Sequence, residues 1–214
     1  MQASTLKYED ITELEKHLIK YGKIIPVPYK FLQTFKKEQL ATFAHKYAIY
    51  QFPTIELLQF ITSEIGDHKQ TIEIGAGNGC FGRNLGIRMV DNYNQEMPQV
   101  KEYYDLMGQP TIKYGKDVEN IGGNEAVLKY KPKTVLACWV TDKWDNATRQ
   151  GNYWGVKEED LFNNGVKKYI HCGNDGTHFV KPILKKIKHK KHYFPWLITR
   201  SLSTEANSIY IFEP

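Results

Sequence analysis

The 214-residue chain has no long hydrophobic run. None approaches the roughly 18 consecutive apolar residues of a membrane span. Residues Met1 to Asp10 are polar and lack the apolar core of a signal peptide. Cysteine is scarce. Cys80, Cys138 and Cys172 are an odd number with no Cys-x-x-Cys pair. A disulfide framework or zinc site is therefore not expected, no metal is assigned, and a reducing cytoplasm fits best. Neither charge sign dominates: 29 Lys and Arg against 24 Asp and Glu leave +5. That excess permits a nucleic-acid partner without arguing for one. Internal repeats and low-complexity segments are also missing. What is present is ordinary for a globular core, 41% hydrophobic and 25% charged, with 14 Tyr and 4 Trp.

The most informative stretch is Thr71-Ile72-Glu73-Ile74-Gly75-Ala76-Gly77-Asn78-Gly79. Its first residues read as a strand, and its alternate glycines as a sharp turn that lets a ligand lie against bare backbone. Exposed N–H groups followed by a helix start suit a polar or anionic ligand. Glu73 sits at the end of a strand expected to be buried, where an unpaired charge is costly. It should have partners, either loop N–H groups or a ligand's ammonium.

Glu-x-Gly-x-Gly-x-Gly after a strand resembles the first motif of class I S-adenosylmethionine-dependent methyltransferases. The resemblance extends over about residues 48–214. It implies that Glu73, Gly75, Ala76, Gly77 and Asn78 hold the methionine part of S-adenosylmethionine. A second reading stays open, because Gly77-x-Gly79-x-x-Gly82 also fits a dinucleotide fingerprint. It leaves Glu73 and Gly75 without a role. A third is a binding protein that keeps the scaffold without catalysis.

Along the chain, residues 1–47 read as a helical extension and 48–214 as an α/β domain. Ile11, Leu14, Leu18 and Ile19 share a helical face, with Gly22 as its stop. Further helices are expected over about Pro28 to Tyr47 and after Phe52-Pro53-Thr54, whose Pro53 suits a first turn. Tyr50 to Thr54 form either a lid over the ligand or part of a cap on the sheet. The expected strands are Thr71–Ile74, Ile87–Val90, Thr111–Tyr114, Thr134–Val140, Lys168–Gly173, Trp196–Arg200 and Ser208–Phe212. Phe179 to Ile187 read as a helix with lysines crowded at its end. The resemblance implies a Rossmann-like, seven-stranded, mostly parallel sheet with a C-terminal antiparallel strand pair.

The resemblance also assigns roles by position. Asp91, at the end of the second strand, takes the ribose hydroxyls, with Glu96 as the fallback; a plain turn Asp is the alternative. Asp117 and Val118 follow the third expected strand and match the adenine corner, although Asp117 also suits a helix N-cap. Ligands of open α/β sheets bind beyond the carboxyl ends of the strands. Trp139, Thr141 and Trp144 should therefore face the methyl acceptor, with Trp139 as core filling the alternative. The family's amino-methylating members carry Asp/Asn-Pro-Pro-aromatic here, and this chain does not. His178 is the candidate base, and His171 a satisfied strand histidine. The acceptor is unidentified. A small molecule is favoured over nucleic acid or protein because the basic residues gather in one place.

Overall fold

The computed structural model describes residues 8–201 and 203–214. The first residues of the expected extension, 1–7, lie outside them. Helix α1 (Thr12–Leu18) buries Leu14 and Leu18 as the 3.6-residue period requires. Gly22 does not stop this helix. With Tyr21 it turns a small hairpin between β1 (Ile19–Lys20) and β2 (Lys23–Ile24), both turn residues having positive φ. The single helix expected over Pro28 to Tyr47 is two, α2 (Tyr29–Leu32) and α3 (Lys37–Lys46). Thr34 breaks it: its hydroxyl donates to the Phe31 carbonyl at 2.7 Å, which competes with helical bonding. Helix α4 (Ile55–Ile65) is capped by Thr54, whose hydroxyl accepts from Leu57 N–H at 3.2 Å. Pro53 thus lies outside the helix.

The remaining elements alternate. They are β3 (Thr71–Ile74), α5 (Cys80–Leu85), β4 (Arg88–Asp91), α6 (Pro98–Leu106), β5 (Glu119–Asn120), α7 (Gly123–Tyr130) and β6 (Thr134–Cys138). Then follow α8 (Glu159–Asn163), β7 (Lys168–Asn174), α9 (Asp175–His178), α10 (Ile183–Lys186), β8 (His189–His192) and β9 (Asn207–Phe212). Seven of these strands form one sheet in the order β5-β4-β3-β6-β7-β9-β8. The first five are parallel, and β9 runs antiparallel to both β7 and β8.

Side-chain alternation splits the core between the two faces of the sheet. Ile72, Ile74, Val135 and Tyr169 pack on one face with Val127 and Leu161. Leu136, Ile170 and Ile211 pack on the other with Leu57, Ile61 and Phe81. A third cluster joins Leu14, Leu18, Phe43 and Phe52 of the N-terminal helices to Cys80, at the start of α5. Burying each such Leu, Ile or Phe contributes about 1.5–3 kcal/mol.

Three strand expectations are corrected. Thr111–Tyr114 is not a strand; its bonds go to side chains instead. Ile112 N–H donates to Gln95 Oε1 at 2.8 Å, and the Tyr114 ring stacks on Tyr93 at 4.1 Å. The third parallel strand is the two-residue β5, paired Val90 to Glu119 and Asp91 to Asn120. Trp196–Arg200 is not the sixth strand either. It fastens Tyr50–Phe52 instead: Phe52 N–H donates to Ile198 O at 2.8 Å, and Arg200 N–H to Tyr50 O at 3.0 Å. The sixth strand is β8, drawn from the lysine-rich stretch read as a helix end. The helix expected over Phe179 to Ile187 is only the short α9 and α10. Finally, β6 stops at Cys138, because Trp139 turns into the left-handed region at φ 62°.

Candidate functional site

The glycine loop leaves β3 at the carboxyl end of the sheet. Gly75 has φ 62°, and a Cβ there would stand 2.5 Å from Val140 Cγ2. Only glycine lets the loop pass this close to the end of β6. Ala76 N–H donates to Val90 O at 3.0 Å, and Gly77 N–H to Asp91 Oδ2 at 2.9 Å, so the loop is fastened to β4. Asn78 Oδ1 accepts from Cys80 N–H at 2.9 Å at the start of α5.

Two carboxylates flank this loop. Glu73 is 1% exposed, and its Oε2 accepts from Gly82 N–H at 2.7 Å. Burial pushes its carboxyl up to about 8, with the Gly82 N–H opposing and the Asp91 charge adding to the rise. A Cβ at Gly82 would lie 2.3 Å from Met89 Cγ and 2.8 Å from Glu73 Oε2, so α5 packs on β3 and β4 through bare backbone. Asp91 is 8% exposed. Burial raises its carboxyl too, against the N–H groups of Gly77 and Tyr93.

These groups line one cavity of about 340 Å³. Its floor is Glu73 and the loop residues Gly75, Ala76, Gly77 and Asn78, and Asp91 forms one side. Trp139, Thr141 and His178 close the opposite side, from the ends of β6 and β7. Tyr50, Tyr104 and Trp154 complete the wall. The expected lid segment therefore borders the cavity, and it belongs by packing to the helical cluster through Phe52.

Three sequence-predicted residues are not brought in. Asp117 and Val118 precede β5 rather than follow it, and neither lines the cavity. Both Asp117 oxygens are taken by Arg83: Nε donates to Oδ2 at 2.7 Å and Nη2 to Oδ1 at 2.6 Å. This pairing holds the Asp117 carboxyl down at about 2. Arg83 Nη2 also donates to Asn78 O at 2.9 Å, so the pair braces the glycine loop from outside. Val118 packs with Ala76 and Met89. Trp144 is 43% exposed and donates its Nε1–H to Asn146 at 2.9 Å, away from the cavity. Glu96 is exposed on a turn after β4. Conversely, Ile112, Tyr114 and Trp154 line the cavity without having been assigned to it. In the sequence Ile112 and Tyr114 read only as part of a strand, and Trp154 has no signal beyond the general richness in aromatics.

On the acceptor side, His178 is 1% exposed. Its Nδ1 accepts from Asn174 N–H at 3.0 Å and lies 3.0 Å from Asn174 O. Burial first, then the Lys181 ammonium, pull its pKa down to about 4. Its Nε2 and the Trp139 Nε1 are both buried without a partner. The two rings meet edge to face at 5.3 Å. His171 Nε2 lies 3.1 Å from Val140 O, while its Nδ1 is unpartnered. Behind them Lys181 and Glu158, 4% and 0% exposed at their side chains, pair at 2.5 Å. No cluster of metal-ligating side chains occurs among the described residues, and no helix among them is long and apolar enough to cross a membrane.

No family model matches the chain, and no curated protein does. Solved structures do resemble it. An rRNA methylase from Streptococcus thermophilus aligns at TM-score 0.41 and 9% identity, over 74% of this chain and 93% of its own. An S-adenosylmethionine-dependent O-methyltransferase from Thermotoga maritima aligns at 0.39 and 10%, over 81% and 71%. A putative caffeoyl-CoA O-methyltransferase from Staphylococcus aureus aligns at 0.39 and 11%, over 87% and 99%. Likenesses at this level carry no substrate. The strand order itself, five parallel strands closed by an antiparallel pair, is that of a Rossmann-like sheet.

Proposed function

We propose that the protein transfers a methyl group from S-adenosylmethionine to an acceptor. One observation carries this reading. Glu73 and Asp91, at the carboxyl ends of adjacent parallel strands, face one cavity across a loop whose glycines leave bare backbone. Glu73 would take the ammonium of the methionine portion, with Gly75, Ala76, Gly77 and Asn78 along it. Asp91 would accept from the ribose hydroxyls. Ile112 and Tyr114, which line the cavity, would flank the adenine in place of Asp117 and Val118. When bound, the sulfonium supplies an electrophilic methyl group. The chain's contribution is then chiefly to hold donor and acceptor in line, where orientation alone lowers a barrier substantially. Among the described residues the cavity lining contains no lysine or arginine. A small-molecule acceptor is favoured over nucleic acid, which is held mainly by cations on its phosphates.

Calorimetry with S-adenosylmethionine and S-adenosylhomocysteine tests the reading. Wild-type protein should bind at micromolar concentration. Glu73→Ala and Asp91→Ala should each weaken binding at least about tenfold, or roughly 1.4 kcal/mol. Asp117→Ala should weaken it far less, because it acts only through the loop brace. Folded wild-type protein that binds neither ligand at millimolar concentration would overturn the assignment.

A further inference from the structure

Glu73, on the cavity floor, has no cation of the chain's own to complete it. Its register partners on the flanking strands are Met89 of β4 and Leu136 of β6, whose side chains bring no hydrogen-bond donor. From α5, Gly82 N–H donates to Oε2. Oε1 takes no hydrogen bond among the described residues, yet it is not sealed off, and Glu73 lines the cavity. The charged and titratable groups around it are few. Asp91 of β4 adds a like charge, and Arg83 of α5 contributes least, because its guanidinium is held by both Asp117 oxygens. Cys80 of α5 and Cys138 of β6 are neutral thiols, the first pushed up to about 12 and the second well above its ordinary value. Two carboxyls thus share one cavity whose lining, among the described residues, has no lysine or arginine. Burying one unpaired carboxylate is costly, and a second beside it makes the charged pair costlier still. Near pH 7 the surroundings favour a protonated, neutral Glu73.

We propose that Glu73 admits the ligand's ammonium group in exchange for its own proton, and so makes the site selective for a ligand that carries an amine. This rests on the methyltransferase reading above. In the exchange the O–H bond of the Glu73 carboxyl breaks and the proton passes to the solvent. The carboxylate that forms pairs with the ammonium. No covalent bond to the ligand is made, and nothing is oxidised or reduced. The ammonium brings the opposite charge that the chain does not supply, which favours the ionised carboxyl and keeps it so. Asp91 is not an equivalent anchor. Its Oδ2 accepts from Gly77 N–H at 2.9 Å and its Oδ1 from Tyr93 N–H at 3.2 Å, so both of its oxygens already have backbone donors. Glu73 has one donor, on one oxygen, and is the carboxyl left for a ligand to complete. A nucleoside without the amine meets a neutral Glu73 and displaces no proton.

Calorimetry of S-adenosylhomocysteine at pH 7, repeated in phosphate and in Tris, counts the protons released, because the two buffers differ in ionisation enthalpy. With Glu73 titrating near 8, about 0.9 proton should leave for each ligand bound. Affinity should rise at least about tenfold from pH 6 to pH 8, since at the lower pH every bound ligand must displace a proton. 5′-Methylthioadenosine, which keeps the nucleoside and the thioether but lacks the amine, should release none. Glu73→Gln, similar in shape and always neutral, should bind S-adenosylhomocysteine more weakly and without proton release. The wild-type buffer series is decisive whether or not this variant folds. The same binding enthalpy in both buffers, an affinity unchanged from pH 6 to pH 8, equal release with methylthioadenosine, or release that persists in folded Glu73→Gln overturns the exchange. If S-adenosylhomocysteine does not bind at either pH, the methyltransferase reading has failed instead.

Discussion

At the scale of single residues, Glu73 sets a pH signature. Its carboxyl titrates near 8 in the folded protein against 4.5 as an ordinary glutamate. A raised folded value means its contribution to stability is full below pH 4.5 and is lost as pH rises through 8. His178 acts in the other direction. Its folded value of about 4 lies below 6.5, so its contribution is full above pH 6.5 and is lost as pH falls through 4. Between pH 6.5 and 8 only the Glu73 slope remains of these two. Stability should fall by about 2 kcal/mol over that interval, and Glu73→Gln should flatten the profile. Chemical denaturation at the two pH values measures this. The residues that the sequence made legible are those whose role is local. Glu73, the glycines and Asp91 lie within one strand-loop-helix-strand unit, so their spacing constrains them. Asp117 falls outside the cavity lining because Thr111–Tyr114 has the composition of a strand but spends its apolar side chains on loop packing. The unpaired nitrogens of Trp139 and His178 had no sequence signal, since they depend on where β6 stops.

At the scale of elements, close contacts decide the outcome. Helix α5 sits so near β3 and β4 that Gly82→Ala must displace Met89 or the Glu73 carboxyl. The variant should lose about 1–3 kcal/mol of stability and also weaken donor binding; a thermal melt and a calorimetric titration of the same sample check both. A second junction joins the turn before α8, β7 and the turn before α10, where Glu158 Oε1 accepts from Lys181 at 2.5 Å and from Tyr169 at 2.5 Å. Lys181→Met alone should cost about 3–5 kcal/mol, because it strands a buried carboxylate. Adding Glu158→Gln should recover a large part of that in the same denaturation assay. If the double variant is no more stable than the single, the charge pair is not what holds this junction. The helical periods of α1 and α4 were readable, and the break between α2 and α3 was not. Thr34 is unremarkable by composition, and its effect comes from one side-chain bond.

At the scale of the whole molecule, the sheet has two open edges. One is β5, only two residues long and too short to template another strand. The other is β8, whose Lys190 and Lys191 are exposed. Lysines on an edge oppose strand-to-strand association. Lys190→Val should promote concentration-dependent self-association, visible by light scattering, while leaving donor binding within about twofold. This use of the lysine-rich stretch was hidden from a reading by composition, because cations at a helix end and cations on an edge strand share the same residues. The overall architecture was legible all the same. It depends on the alternation of strands and helices and on the final antiparallel return, which survive errors in the location of individual strands.

The short connection between β3 and β4 carries a kinetic consequence. Glu73, the glycine loop, α5 and Asp91 are neighbours in sequence as well as in space, so closing this unit costs little chain entropy. The wall built from Trp139 and His178 joins strands drawn from distant parts of the chain, and contacts of that kind form slowly. The donor half of the cavity should therefore assemble first during folding, with the acceptor half closing onto it. Substitutions at Ile72 or Val90 would then slow folding, whereas substitutions at Cys172 or Ile209 would mainly speed unfolding.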